Sequence, residues 1–199
     1  MSTREERAGA TRAQLLAVAT ELFASRGYAA VGTEDVVREA GLTRGALYHH
    51  FTDKRELFAA VHERLEQDTM AAIGSRMAAA AESGTADPVE LLIIGMRSFL
   101  DACMEPAVLR ITLLDAPTVL GWARWRGVDE RYGLGLVING LEYAMAAGAL
   151  RRQEPRPLAH LLLAAVGEAA QLIAHAENPE RARAEVEPAM LSMLDGLRT

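Results

Sequence analysis

Between Thr33 and Lys54 the run TEDVVREAGLTRGALYHHFTDK gathers hydroxyls, two guanidiniums, a phenol and two imidazoles about a turn at Gly41. Groups of this kind bind by hydrogen bonding, to phosphate oxygens and to base edges. Two short helices and a tight turn would position them. Thr33 is a fitting N-cap, because its hydroxyl can accept from an orphan N–H at a helix start. Val36, Val37 and Ala40 then recur at helical spacing. Gly41 stops the first helix by taking the left-handed conformation that a Cβ resists. Thr43 caps the second, Ala46 and Leu47 turn inward, and Tyr48, His49 and His50 close it. A three- to four-residue turn with glycine between two helices is the helix-turn-helix pattern. A short second helix ending in aromatic and hydrogen-bonding side chains suits DNA reading.

The rest of the composition says what carries this motif. Ala, Leu, Arg and Glu dominate, β-branched residues are few, and the expected fold class is all-α. A length of 199 residues suits one or two domains with a sizeable core. The formal net charge is −6, but residues 1–55 hold eight Lys/Arg against seven Asp/Glu, so only the N-terminal part offers a basic face. The N-terminus lacks an apolar core region, and no charge-free apolar run approaches 18 residues, so neither signal peptide nor membrane span is expected. Lone Cys103 forms no internal disulfide, as suits a reducing cytoplasm. Enzyme signatures are missing: there is no Gly-x-Ser-x-Gly, no phosphate loop and no helical metal-ligand pair. We therefore expect no catalytic residue, no metal and no cofactor.

Residues 1–10 read as a flexible arm whose Arg4 and Arg7 either reach phosphates or lie solvated. A helix over 11–26 buries Leu15, Leu16, Ala19, Leu22 and Phe23 and ends at Gly27. Another starts near Asp53 and runs to about Ala81. The stretch 81–88 is the clearest linker, with Asp87 and Pro88 as cap and first turn of the next helix. Further helical blocks cover Val89–Met104, Ala107–Leu114, Gly121–Leu150, Leu158–Ala176 and a last helix from Asn178-Pro179 to about Leu197. The expected domains are 1–55 and 56–199.

The run GLTRGALYHHFTDKRELF (41–58) closely resembles the recognition segment of the TetR family of transcriptional regulators, and TRAQLLAVATELFASRGY (11–28) resembles that family's first helix. LLDAPTVLGWARWRGVDERYG (113–133) resembles a segment in the effector domain of some members. The resemblance implies an N-terminal three-helix DNA-binding domain and a C-terminal helical domain for ligand binding and dimerisation. It places Thr43, Arg44, Gly45, Ala46, Tyr48 and His49 in the major groove. Arg44 either reads a guanine edge with two hydrogen bonds or contacts a phosphate. Tyr48, His50, Lys54 and Thr33 match phosphate-holding positions, with packing at the helix end as the other reading of Tyr48. Glu34 departs from the pattern, standing where some members carry a base-contacting basic residue. Its carboxylate suits the positive N-terminus of its helix.

For the C-terminal part the resemblance implies a pocket and a two-fold interface. Met96, Phe99, Cys103, Arg110, Trp122, Trp125, Tyr132, Asn139 and Tyr143 are the pocket candidates, or else plain core. Arg110 holds an anionic effector or pairs with Glu105 or Asp115. Leu161, Leu162, Ala165, Val166, Ala169, Leu172 and Ile173, with Met190, Met193, Leu194 and Leu197, give two helices apolar on broad faces, as a four-helix dimer interface or burial within one protomer requires. The implied function is a ligand-responsive homodimeric repressor, released from palindromic double-stranded DNA by a small-molecule effector. The alternative is a helical small-molecule or protein-binding module with a vestigial DNA motif.

Overall fold

A computed structural model describes residues 3–84 and 87–199. Met1, Ser2, Thr85 and Ala86, with the side chains of Thr3, Arg4 and Asp129, lie outside the described residues, and parts of the expected arm and linker fall among them. The described residues are helical apart from turns and an isolated bridge between Leu150 and Arg198. The chain divides into two compact units, residues 1–65 with 106–125 and residues 66–105 with 126–199. This differs from the expected boundary at 55/56. The three-helix motif is too small to bury a sufficient core alone, and it takes up 106–125 as well as the start of the next helix.

In the first unit, α1 (Thr3–Ala30) begins where an arm was expected. Glu5 and Glu6 in its first turn complement the helix dipole, so the segment is helical from Thr3. The helix is broken at Gly27, whose φ of 76° favours glycine. A Cβ there would also clash with the Arg110 guanidinium. α2 spans Thr33–Glu39, α3 Arg44–His50, and α4 starts at Lys54 and runs to Glu82. Leu15, Phe23, Val36, Leu47, Leu57 and Phe58 are fully buried at the centre. The Phe58 ring packs edge-on to Phe23 and Tyr28, at centroid distances of 5.2 and 4.9 Å. Val108–Asp115 winds as a π-helix and continues into α6 (Ala116–Leu120). Polar ties hold this stretch to the early helices: the Tyr28 N–H donates to Asp115 at 2.7 Å, and the Arg55 guanidinium donates to the carbonyls of Val119 and Leu120. His62 is buried against it, with Nδ1 3.3 Å from the Thr112 hydroxyl. Its Nε2 has no hydrogen-bond partner among the described residues, and burial pushes its pKa down to about 4.

The second unit contains the remainder of α4, α5 (Pro88–Ala102), most of α7 (Trp122–Ala146), α8 (Pro155–Ala174) and α9 (Pro179–Asp195). Asp87 caps α5 by accepting from the Val89 N–H at 2.9 Å, and Asn178 caps α9 by accepting from the Arg181 N–H at 2.9 Å. α8 starts three residues before the expected Leu158, with Pro155 and Pro157 in its first turn, where missing N–H groups cost nothing. α8 carries Arg156 and Glu168, so its charge-free apolar run stays well short of 18 residues. It is long and apolar enough to cross a membrane by length and composition alone, a test that a buried core helix also passes. That apolarity lies on two sides of the helix: Leu162, Leu163, Ala169 and Ile173 are buried in the unit's core, while Leu161 and Leu172 are exposed.

Candidate nucleic-acid interface and effector cavity

The corner between α2 and α3 is built by local hydrogen bonds. Gly41 adopts φ 64°, its N–H donates to the Arg38 carbonyl at 3.2 Å, and the Leu42 N–H donates to the Val37 carbonyl at 2.9 Å. This is the paired closure that ends a helix on a left-handed glycine. Thr43 then caps α3, accepting from the Ala46 N–H at 3.2 Å. At the start of α2 the cap is Gly32, not Thr33: the Gly32 N–H donates to the Asp35 carboxylate at 2.9 Å. Thr33 is thereby the first helical residue, and its hydroxyl lies 3.4 Å from that of Tyr48.

Leu47 is fully buried and anchors α3. The helical period then turns Arg44, Gly45, Tyr48 and His49 outward. Tyr48 is 44 % exposed, and the Arg44 guanidinium carbon lies 5.9 Å from its ring centroid. The Arg44 guanidinium is also 2.8 Å from the Glu34 carboxylate, so Glu34 does more than complement a helix end. It occupies the proposed base reader. Ala46 and His50 are partly buried. Desolvation, then His49 and Arg12, pull the His50 pKa below its ordinary value, which favours the neutral ring. Lys54 stands 4.1 Å over the Tyr28 ring, and desolvation lowers its pKa as well. Arg12, which spacing does not single out, lies 5.4 Å from the Phe51 centroid and next to His50. Only the packing of α1 against α3 brings it there.

In the second unit a half-enclosed cavity of about 90 Å³ opens among five helices. Met70, Ile73 and Met77 of α4 line it, with Leu92, Gly95, Met96 and Phe99 of α5. Gly133, Leu136 and Val137 of α7, Leu162, Leu163 and Val166 of α8, and Met190 and Leu194 of α9 complete the wall. Of the expected pocket residues it includes Met96 and Phe99. The others lie elsewhere. Cys103 is fully buried but off the cavity. Arg110, Trp122 and Trp125 belong to the first unit. There Arg110 pairs with Asp115 at 3.4 Å, Trp125 is core, and Trp122 is 58 % exposed, with its ring 4.8 Å from that of Trp125. Tyr132, Asn139 and Tyr143 share a stripe of α7 about a quarter-turn from the residues facing the cavity, and Asn139 and Tyr143 are exposed.

The expected interface residues divide in the same way. Leu162, Val166, Met190 and Leu194 line the cavity, Ala169 and Ile173 are buried in the unit's core, and Ala165 and Leu197 are half-buried. Leu161, Leu172 and Met193 face outward, 68, 55 and 50 % exposed. Among the described residues no group of three His, Cys, Asp or Glu side chains is placed to hold a metal.

Residues 15–61 match the model of bacterial regulatory proteins of the tetR family, and residues 89–197 match the tetracyclin repressor-like C-terminal domain. A TetR-family transcriptional regulator from Pectobacterium atrosepticum is 31 % identical in sequence, superposes with a TM-score of 0.86, and is matched over 100 % of this chain and 98 % of that one. Curated relatives align over less. The transcriptional activator FasR of Mycolicibacterium smegmatis is 44 % identical over 61 residues, 31 % of this chain and 26 % of that protein. The transcriptional regulator AcrR of Shigella flexneri is 39 % identical over 66 residues, 33 % of this chain and 30 % of that protein. With its helix-turn-helix geometry and both halves matched by the family's models, the chain belongs to the TetR family of bacterial regulatory proteins.

Proposed function

We propose that this protein is a DNA-binding transcriptional regulator that acts in the cytoplasm as a homodimer and responds to a small-molecule effector. The observation that carries the reading is the outward face of α3. Leu47 holds the helix to the core, and Arg44, Gly45, Tyr48 and His49 stand clear of it. Arg44 reads a base edge, while Thr33, Thr43, Tyr48, His50 and Lys54 hold the backbone and set the register, with Ala46 leaving room for close approach. Residues 1–65 serve DNA, and the helices of the second unit serve effector and partner.

The outward stripe of Leu161, Leu172 and Met193 supports self-association through α8 and α9, because large apolar side chains so exposed mark a surface that gains by being covered. A two-fold pair would present two α3 helices to successive major grooves, with half-site centres about 34–36 Å apart. An effector acts by binding one of two dimer states better than the other, and a repressor is released when the favoured state misaligns the grooves. Selection from a randomised duplex library tests the reading. The expected product is an inverted repeat with half-sites about one helical turn apart. Failure to enrich any sequence would sink it.

A further inference from the structure

We propose that the cavity of the second unit takes a small uncharged arene, one benzene-type ring bearing alkyl groups rather than hydroxyl, amine or carboxylate groups. The inference rests on the reading of this cavity as the effector site and narrows its ligand class. Its lining side chains are Met, Leu, Ile, Val and Phe, with two glycines, and none carries a hydrogen-bonding group. A hydroxyl or carboxylate entering such a wall gives up water and gains no partner. The charged group closest in sequence on α5, Arg97, is already engaged: its guanidinium lies 2.7 Å from Glu187, which also pairs with Arg183. Among the described residues of α5 and α9, no free cation is therefore on hand to receive an anion.

Size and polarisability select the ring. A dry apolar cavity of about 150 Å³ is enough for benzene. The volume here is about 90 Å³, but Met70, Met77, Met96 and Met190 form much of the wall. Unbranched thioethers shift with little strain, and they make favourable sulfur contacts with aromatic rings. Gly95 helps keep one of them in place. A Cβ on Gly95 would come within 2.8 Å of the Met77 sulfur, so the missing side chain is what lets Met77 lie against α5.

The test uses the full chain, titrated calorimetrically and by thermal unfolding with toluene, phenol and benzoate. Toluene should raise the unfolding midpoint saturably and bind at least about tenfold more tightly than phenol, while benzoate leaves the midpoint unchanged. Leu163→Trp should abolish the toluene response by filling the cavity. Val166→Thr, which keeps the shape and adds a hydroxyl to the wall, should narrow the toluene-to-phenol ratio to under about threefold. It carries the test if the tryptophan variant does not fold. Phenol or benzoate binding as tightly as toluene, a toluene response that survives the filled cavity in a folded variant, or no toluene binding at all would each overturn the proposal. Repeating the titration with a library-selected duplex separates the two readings. Toluene binding with unchanged DNA affinity upholds the ligand class and removes the effector role.

Discussion

On and around the outward face of α3 the important side chains are exposed or half-buried and already hold partners they can exchange. Arg44 rests on Glu34, Thr33 lies near Tyr48, and Lys54 stands over Tyr28. Inside the cavity of the second unit the side chains are enclosed and offer no polar partner. The first surface can trade hydrogen bonds with water, with itself or with a duplex at little net cost. The second can trade only apolar area and packing. Substitution on the face should therefore change DNA binding and leave stability alone, whereas a polar substitution in the wall should cost stability.

The largest expected effect breaks the enclosed side. Leu194→Asp places an unpaired carboxylate against the apolar wall and should cost about 4 kcal/mol, lowering the unfolding midpoint by roughly 10 °C. A midpoint within a degree or two of wild type would mean that water reaches the wall freely.

Next comes the contrast between exposed and buried imidazoles within the first unit. Native His62 is neutral above about pH 4, whereas the unfolded ring takes up a proton near 6.5. The unfolded state therefore binds more protons between those values. The stability contributed is full above about pH 6.5 and is lost progressively as pH falls toward 4, by about 3 kcal/mol in all. Denaturant unfolding at pH 7 and pH 4.5 should show this dependence in wild type and much less of it in His62→Gln, which removes the titrating ring. Equal dependence in both proteins would assign the acid sensitivity to carboxylates instead.

Arg44→Ala should leave the unfolding midpoint within error and remove about 1–3 kcal/mol of discrimination at one base position. Competition between library-selected and single-base-changed duplexes measures it. Equal losses on every sequence would make Arg44 a phosphate contact. The smallest effect belongs to Glu34→Gln. Removing a carboxylate from the face and freeing Arg44 should tighten binding to all sequences by about two- to fivefold at low salt and steepen the salt dependence. In the Arg44→Ala background that gain should shrink, since the two side chains are coupled.

The two regions also differ in how far the amino-acid sequence reveals them. The α2–α3 corner is legible from spacing because its determinants are local. Gly41 and Thr43 act on backbone groups within five residues of themselves. Even there, the hydroxyl of Thr33 points to the wrong cap. The Asp35 carboxylate closes back onto the Gly32 N–H and moves the helix start one residue earlier. The cavity is the opposite case. Its wall draws on five helices spread from residue 70 to residue 194, and every residue in it reads as ordinary core in isolation. The aromatic stripe of α7 is conspicuous by residue type, yet Trp125 is core of the first unit and Tyr143 faces outward.

By itself the sequence determined the helical class, the helix-turn-helix corner and most helix ends, because caps, left-handed glycines and first-turn prolines act through bonds a few residues long. Tertiary packing alone decided that 106–125 joins the first unit, that Glu34 holds Arg44, and which side of α8 faces the cavity and which faces outward. Periodicity reports that a helix has an apolar side. Which neighbour covers that side depends on contacts between residues far apart in the chain.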